Sequence, residues 1–146
     1  MCSSDLAAIA ELGLPLFVKP ANMGSSVGVS KAHDRDELCR ALELALSYDE
    51  WVVIEEAIDG REIEVSVLGD LHPEASRPGE IVPGAEFYTY ADKYEDGAAQ
   101  LIAPADLTPD EEATVRALAV DAFRACRLEG MARVDFFLAR SGRAHV

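Results

Sequence analysis

The chain has 146 residues, 49% hydrophobic and 27% charged, with 13 Lys and Arg against 27 Asp and Glu for a formal net charge of -14. That length suits one domain with a real core, and the acidic balance argues against nucleic acid or an anionic membrane as partner, since both are held through basic patches. No run approaches a membrane span and no basic, apolar leader opens the chain, so a cytoplasmic location is expected.

Residues 1–11 give no clear pattern; Met-Cys-Ser-Ser-Asp-Leu reads as a start imposed on an internal stretch. Leu16-Phe17-Val18 then reads as a strand ending on Lys19. Pro20 cannot donate to a ladder, so the chain is expected to leave the sheet there. A loop follows, in which Gly24, Ser25, Ser26 and Gly28 put two hydroxyls and several backbone N–H groups into a tight turn, as a phosphate cradle requires. It is not the P-loop, because no Gly-Lys-Ser/Thr follows the glycines, nor the dinucleotide Gly-x-Gly-x-x-Gly. An acidic chain that binds an anion must concentrate its cations, and its only lysines are Lys19, Lys31 and Lys93.

Beyond the loop, residues 27–31 read as a returning strand, and Asp34 with Glu37 as a capping-box-like helix start. Leu38, Ala41, Leu42, Ala45 and Leu46 form one stripe, which predicts a helix lying on a sheet. Trp51-Val52-Val53-Ile54 is continuously apolar, as in a strand covered on both sides, and ends on Glu55-Glu56. Residues 61–68 alternate, with Glu62, Glu64 and Ser66 on one face and Ile63, Val65 and Val67 on the other; a solvated face accounts for Glu64. Short strands are expected near 72–75 and 80–82, and residues 86–98, rich in Tyr, Asp and Gly, read as an ordered binding loop.

Thr108-Pro109-Asp110-Glu111 predicts a second helix, with Val115, Leu118, Ala119, Ala122, Phe123 and Cys126 on one side and Gly130 at its exit. Residues 131–139 form a strand whose one face carries Arg133 and Asp135 and whose other carries Val134, Phe136 and Leu138. Two readings of that charged pair stay open: a structural ion pair, or charges that meet a ligand with metal and phosphate. Cys2, Cys39 and Cys126 are scattered, which predicts free thiols, and His33, His72 and His145 lack the spacing of a transition-metal site.

Lys19-Pro20 followed by Gly24-Ser25-Ser26-Val27-Gly28-Val29 resembles the glycine-rich loop of the D-alanine-D-alanine ligases, members of the ATP-grasp superfamily. The resemblance runs from Leu12 to the C-terminus through Val53-Ile54-Glu55-Glu56, Pro78-Gly79-Glu80-Ile81, Glu86-Phe87-Tyr88-Thr89-Tyr90, Lys93-Tyr94 and Ala132-Arg133-Val134-Asp135-Phe136. It implies an incomplete α+β ATP-grasp fold, with residues 12–58 part of the nucleotide lid, 59–146 most of the catalytic subdomain, and 1–11 outside the family pattern. The family joins two D-alanines with ATP through a D-alanyl phosphate, for peptidoglycan precursor synthesis.

Carried over residue by residue, the resemblance implies that Lys19 and Lys93 contact ATP phosphates, Glu55 and the backbone of Ala57 and Ile58 the adenine, and Glu62 the ribose hydroxyls. Arg133 would stabilise negative charge on phosphate and acyl oxygen, Asp135 would ligate Mg2+ or Mn2+, and Ser25 and Tyr94 would help position the first D-alanine. The implied partners are small molecules only, with the full-length protein a homodimer. Thr89 and Ala91 depart from the family, which commonly has acids there. The family's N-terminal domain and an ATP-contacting lysine would precede Met1, and a Glu-x-Asn segment completing the metal site would follow Val146, so the chain alone is expected to be inactive. Tyr94 resembles the residue of dipeptide-forming members. The alternatives are a D-alanine-D-lactate ligase, another ATP-grasp carboxylate-amine ligase, or a nucleotide-binding fragment without catalysis.

Overall fold

A computed structural model of the chain describes residues 4–84 and 99–145. They fall into two compact units, one ending at Ala57 and the other beginning at Ile58, each with its own hydrophobic core.

The first unit opens with α1 (Ser4–Leu12), where the sequence reading placed no element. Its stretch is rich in Ala and Leu, good helix formers, and Ala8 and Ile9 pack against the core of the unit. Gly13, at φ 79°, closes it by donating its N–H to the carbonyl of Ile9, the left-handed exit that glycine permits. Strand β1 (Leu16–Pro20) is central in an antiparallel sheet, with β2 (Ser30–Ala32) on one side and β3 (Val52–Glu56) on the other. Pairing with β2 stops at Val18, opposite Ser30, whereas pairing with β3 continues to Pro20, opposite Val52. Proline is therefore tolerated inside the strand, because beyond Val18 only one side of β1 is paired.

Helix α2 (Arg35–Leu46) starts at Asp34, whose side chain accepts the N–H of Glu37 at 2.8 Å. The Glu37 carboxylate reaches back one residue further than in a regular capping box, to the N–H of His33 at 2.7 Å. Leu38, Ala41 and Ala45 bury against Leu16, Val18 and Ala32, so the stripe points at the sheet as predicted. Its last member does not: Leu46 is exposed. The expected two-sided cover of β3 also fails, since Trp51 is 69% exposed and Val53 39%. A continuous apolar run specifies a strand without saying that it lies at a sheet edge, with α1 and α2 packed against it and Val53 left exposed.

The second unit is built on β4 (Gly60–Gly69) and β8 (Gly130–Ala139), paired antiparallel over their whole length from Gly60 opposite Ala139 to Gly69 opposite Gly130. Around them lie β5 (Glu74–Ala75), β6 (Gly79–Val82), β7 (Gln100–Ile102) and β9 (Ala144–His145), all antiparallel. The strands expected near 72–75 and 80–82 are β5 and β6; β7 and β9 have no counterpart among the elements expected from the sequence. Helix α3 (Pro109–Ala125) carries the full capping box, with Thr108 Oγ1 accepting from Glu111 N–H and the Glu111 carboxylate accepting from Thr108 N–H.

Val115, Ala119 and Phe123 of α3 are buried against Ile63, Val65, Val67, Val134, Phe136 and Leu138. Burying the Val, Ile, Leu and Phe side chains among these contributes roughly 1.5–3 kcal/mol each before chain entropy is charged against it. Leu118 and Cys126, expected on the same side, are exposed. The exit also differs from expectation: the helix ends at the Cys126 cap, Arg127 takes the left-handed turn at φ 53°, and Gly130 already belongs to β8. Among the described residues no helix is long and apolar enough to cross a membrane, and Cys39 and Cys126 are free thiols.

Candidate functional site

In the first unit the candidate residues lie where β1 ends. Lys19 projects next to β3, and its Nζ lies 2.7 Å from Oε2 of Glu55. Both side chains are close to half exposed, so the pair contributes at most about 1 kcal/mol and a ligand can separate it at little cost. Residues 21–29 form the loop between β1 and β2. Ser25 and Ser26 have φ of 55° and 59° and Gly28 one of 73°; tight turns, in which backbone N–H groups can converge, are a recurring place for an anion to bind. The four loop residues grouped together in the sequence reading differ in kind. A Cβ on Gly28 would stand 2.7 Å from the ring of Tyr48 and 2.8 Å from Cγ of Pro20, whereas one on Gly24 would meet nothing within 4 Å. Ala57, just past β3, gives its N–H to the carbonyl of Pro15 at 3.2 Å, so that donor is already satisfied within the fold.

The loop is tied down by a residue that sequence reasoning missed. Asp49, between α2 and β3, accepts from the N–H of Asn22 at 2.7 Å, from its side-chain amide at 2.9 Å, and from the N–H of Trp51 at 3.1 Å. The Trp51 and Asn22 N–H groups hold its carboxyl below the usual carboxylate range. Nothing in the sequence signals a bond across 27 residues from an unremarkable Asp.

In the second unit, the face of the β4–β8 ladder opposite α3 carries the charges. Ile58 begins the unit and is half-buried, and Glu62 sits on β4 opposite Phe137 of β8 and Ile81 of β6. Glu64 lies opposite Asp135, and Ser66 opposite Arg133. The Arg133 guanidinium gives Nε and Nη2 to the two Asp135 oxygens at 2.7 and 2.9 Å, and Nη1 to Glu64 Oε1 at 2.8 Å. A solvated face therefore does not account for Glu64, which is half-buried and shares Arg133 with Asp135. The arginine and aspartate side chains are 54% and 48% exposed, so both remain open to a ligand. Lys93, Tyr94 and the expected binding loop at 86–98 lie outside the described residues. Nearby, Arg61 grips Glu80 through two bonds of 2.8 and 2.6 Å and also donates to the Asp106 carbonyl; this bond holds the Glu80 carboxyl below its ordinary value and raises the Arg61 guanidinium.

An antiparallel sheet backed by one helix, with charges on its open face, and a glycine-rich hairpin loop in a separate unit define the α+β fold of the ATP-grasp ligases. A sequence model described as D-ala D-ala ligase C-terminus matches residues 2–146, and the chain belongs to that family. The match takes in residues 2–11 as well. The D-alanine--D-alanine ligase of Bacillus licheniformis is 56% identical over 133 residues, and that of Geobacillus thermodenitrificans 53% over 136, covering 91% and 93% of this chain. The chain spans 37% of the length of each. Among solved structures, the VanG D-Ala:D-Ser ligase from Enterococcus faecalis superposes with a TM-score of 0.85 at 35% identity, over 95% of this chain and 41% of that one.

Proposed function

We propose that this chain provides nucleotide-binding and catalytic residues of an ATP-dependent ligase that joins two D-alanines through a D-alanyl phosphate, in the synthesis of peptidoglycan precursors. The observation that carries the reading is the loop at 21–29, with left-handed Ser25, Ser26 and Gly28 following Lys19. In an acidic chain that is where an anion would be held. Lys19 would leave Glu55 for a phosphate oxygen, and Glu55 would then be available to the adenine amino group. Glu62 would accept from ribose hydroxyls, the backbone at Ala57 and Ile58 would line the base, Lys93 would add a second cation on the phosphates, and Ser25 and Tyr94 would orient the first D-alanine.

Arg133 would act where charge develops. Its planar fork, already shown two carboxylate oxygens by Asp135, can bind two oxygens of a transferring phosphoryl group or an acyl oxygen as it gains charge. Glu64 would keep one edge of the guanidinium oriented meanwhile. Asp135, a hard carboxylate, suits Mg2+ or Mn2+ as one ligand, and a bound ion would neutralise phosphate charge. Among the described residues no group of three His, Cys, Asp or Glu is placed to hold a metal. Family resemblance further supports a cytoplasmic homodimer acting on small molecules alone.

Incubating the full-length gene product with D-alanine, ATP and Mg2+ and following phosphate release together with product mass tests this reading. D-alanyl-D-alanine formed in step with phosphate is expected; phosphate release without dipeptide would overturn it. A second reading, in which D-serine is the second substrate, is favoured by the likeness to VanG. The higher identity to the D-alanine--D-alanine ligases weighs against it, as does Tyr94 by resemblance. With D-serine or D-lactate in competition at neutral pH, the D-alanine dipeptide is expected to dominate.

A further inference from the structure

We infer that Asp49 is a positioning residue for ATP: together with Tyr48 it grips both ends of the glycine-rich loop and keeps it in its binding form. The inference rests on reading that loop as the phosphate site. At the loop's start, one Asp49 oxygen takes both the backbone N–H and the side-chain amide of Asn22, while the other takes the N–H of Trp51. Ala21 adds a backbone bond to the Trp51 carbonyl at 2.9 Å. At the loop's far end Gly28 is seated so closely on Tyr48 and Pro20 that no side chain fits between them. Adjacent residues of the α2–β3 connection thus hold the first and last parts of the loop, and the turns within it, Val27 N–H to Gly24 at 3.1 Å and Val29 N–H to Ser26 at 3.3 Å, span what remains.

Such a clamp acts on affinity through population. A ligand that binds only the ordered loop sees its apparent Kd rise as the ordered fraction falls, although every group that touches it is intact. Loss of Asp49 should therefore weaken ATP binding and raise its KM, and leave kcat at saturating ATP less affected. A merely structural Asp49 would lower the melting temperature and leave Kd for ATP unchanged at temperatures where the protein stays folded.

The test is ATP titration by calorimetry on the full-length gene product, with Asp49→Ala and Asp49→Asn measured beside wild type, alongside Tm, KM and kcat. Asp49→Ala is expected to raise Kd for ATP about tenfold. Asp49→Asn should fall between, because its carbonyl oxygen still accepts from Asn22 while its amide cannot accept from Trp51; it also keeps the size of the native side chain should the alanine variant fold poorly. A Kd within twofold of wild type in both variants, or a lowered Tm with unchanged Kd, overturns the inference and leaves the ATP reading standing. A wild-type protein that does not bind ATP overturns both.

Discussion

The loop at 21–29 and the ladder of β4 with β8 hold their candidate functional groups by different means. On the ladder, Arg133, Asp135, Glu62 and Glu64 project from two strands fixed by ten residues of antiparallel pairing, and their backs are buried against α3. On the loop, Ser25, Ser26 and Gly28 stand in left-handed conformations, held from outside by Asp49, Tyr48 and Pro20. A ladder protects its site through the core, so that surface substitutions change chemistry and leave the fold intact. A clamped loop has no such separation: the residues that shape it also stabilise it.

Breaking the ladder's support should have the largest effect. Phe123→Ala removes one of the two largest fully buried side chains among the described residues of the unit, and an expected loss of about 3–5 kcal/mol, read from urea unfolding, would mark the ladder as dependent on α3. Next comes the loop. Gly28→Ala forces a Cβ into the Tyr48 ring at a positive φ and should cost about 1–3 kcal/mol and weaken ATP binding together, whereas Gly24→Ala, with open space around it, should be close to neutral in stability. Equal effects at the two glycines would remove the distinction drawn between them.

A smaller effect than at Gly28 belongs to the pair between Arg61 on β4 of the ladder and Glu80 on β6. Glu80 has its carboxyl depressed below an ordinary value of 4.5 by the Arg61 bond. Its stabilisation is therefore present above pH 4.5 and is lost as the pH falls through the lower, folded-state value. Arg61 is partly exposed, so solvent screening limits the pair to about 1 kcal/mol. Arg61→Ala should cost that much at pH 7 and progressively less toward pH 3, measured as the urea midpoint against pH; a cost independent of pH would mean that Arg61 acts through packing or the Asp106 carbonyl alone.

What the sequence made legible were features decided by neighbours along the chain. Thr108 with Glu111, Asp34 with Glu37, and the alternation of β4 and β8 each express a local rule, and the structure follows them. Features decided by distant packing were not legible. Trp51 and Val53 look like a buried strand but lie on an open face, and the end of α3 is set by Arg127 where Gly130 was the obvious candidate. At the site, Lys19, Ser25, Arg133 and Asp135 stood out through their motifs, whereas Asp49 and the bond from Glu64 to Arg133 depend on strand register and loop path that no short window contains.

The central claim is that Arg133 on the open face of the ladder serves chemistry more than stability, and its two replacements test that directly in the full-length gene product. The side chain is half exposed and its ion pairs contribute about 1 kcal/mol or less, so Arg133→Met should shift Tm by no more than a few degrees. Turnover should fall about a hundredfold or more, the scale of losing one preorganised donor, with KM for ATP changed much less. Arg133→Lys keeps the charge but loses the planar fork, and should restore Tm without restoring kcat. A large loss of Tm in the methionine variant with near-normal kcat in the lysine variant would contradict the claim and make Arg133 a structural partner of Asp135 and Glu64.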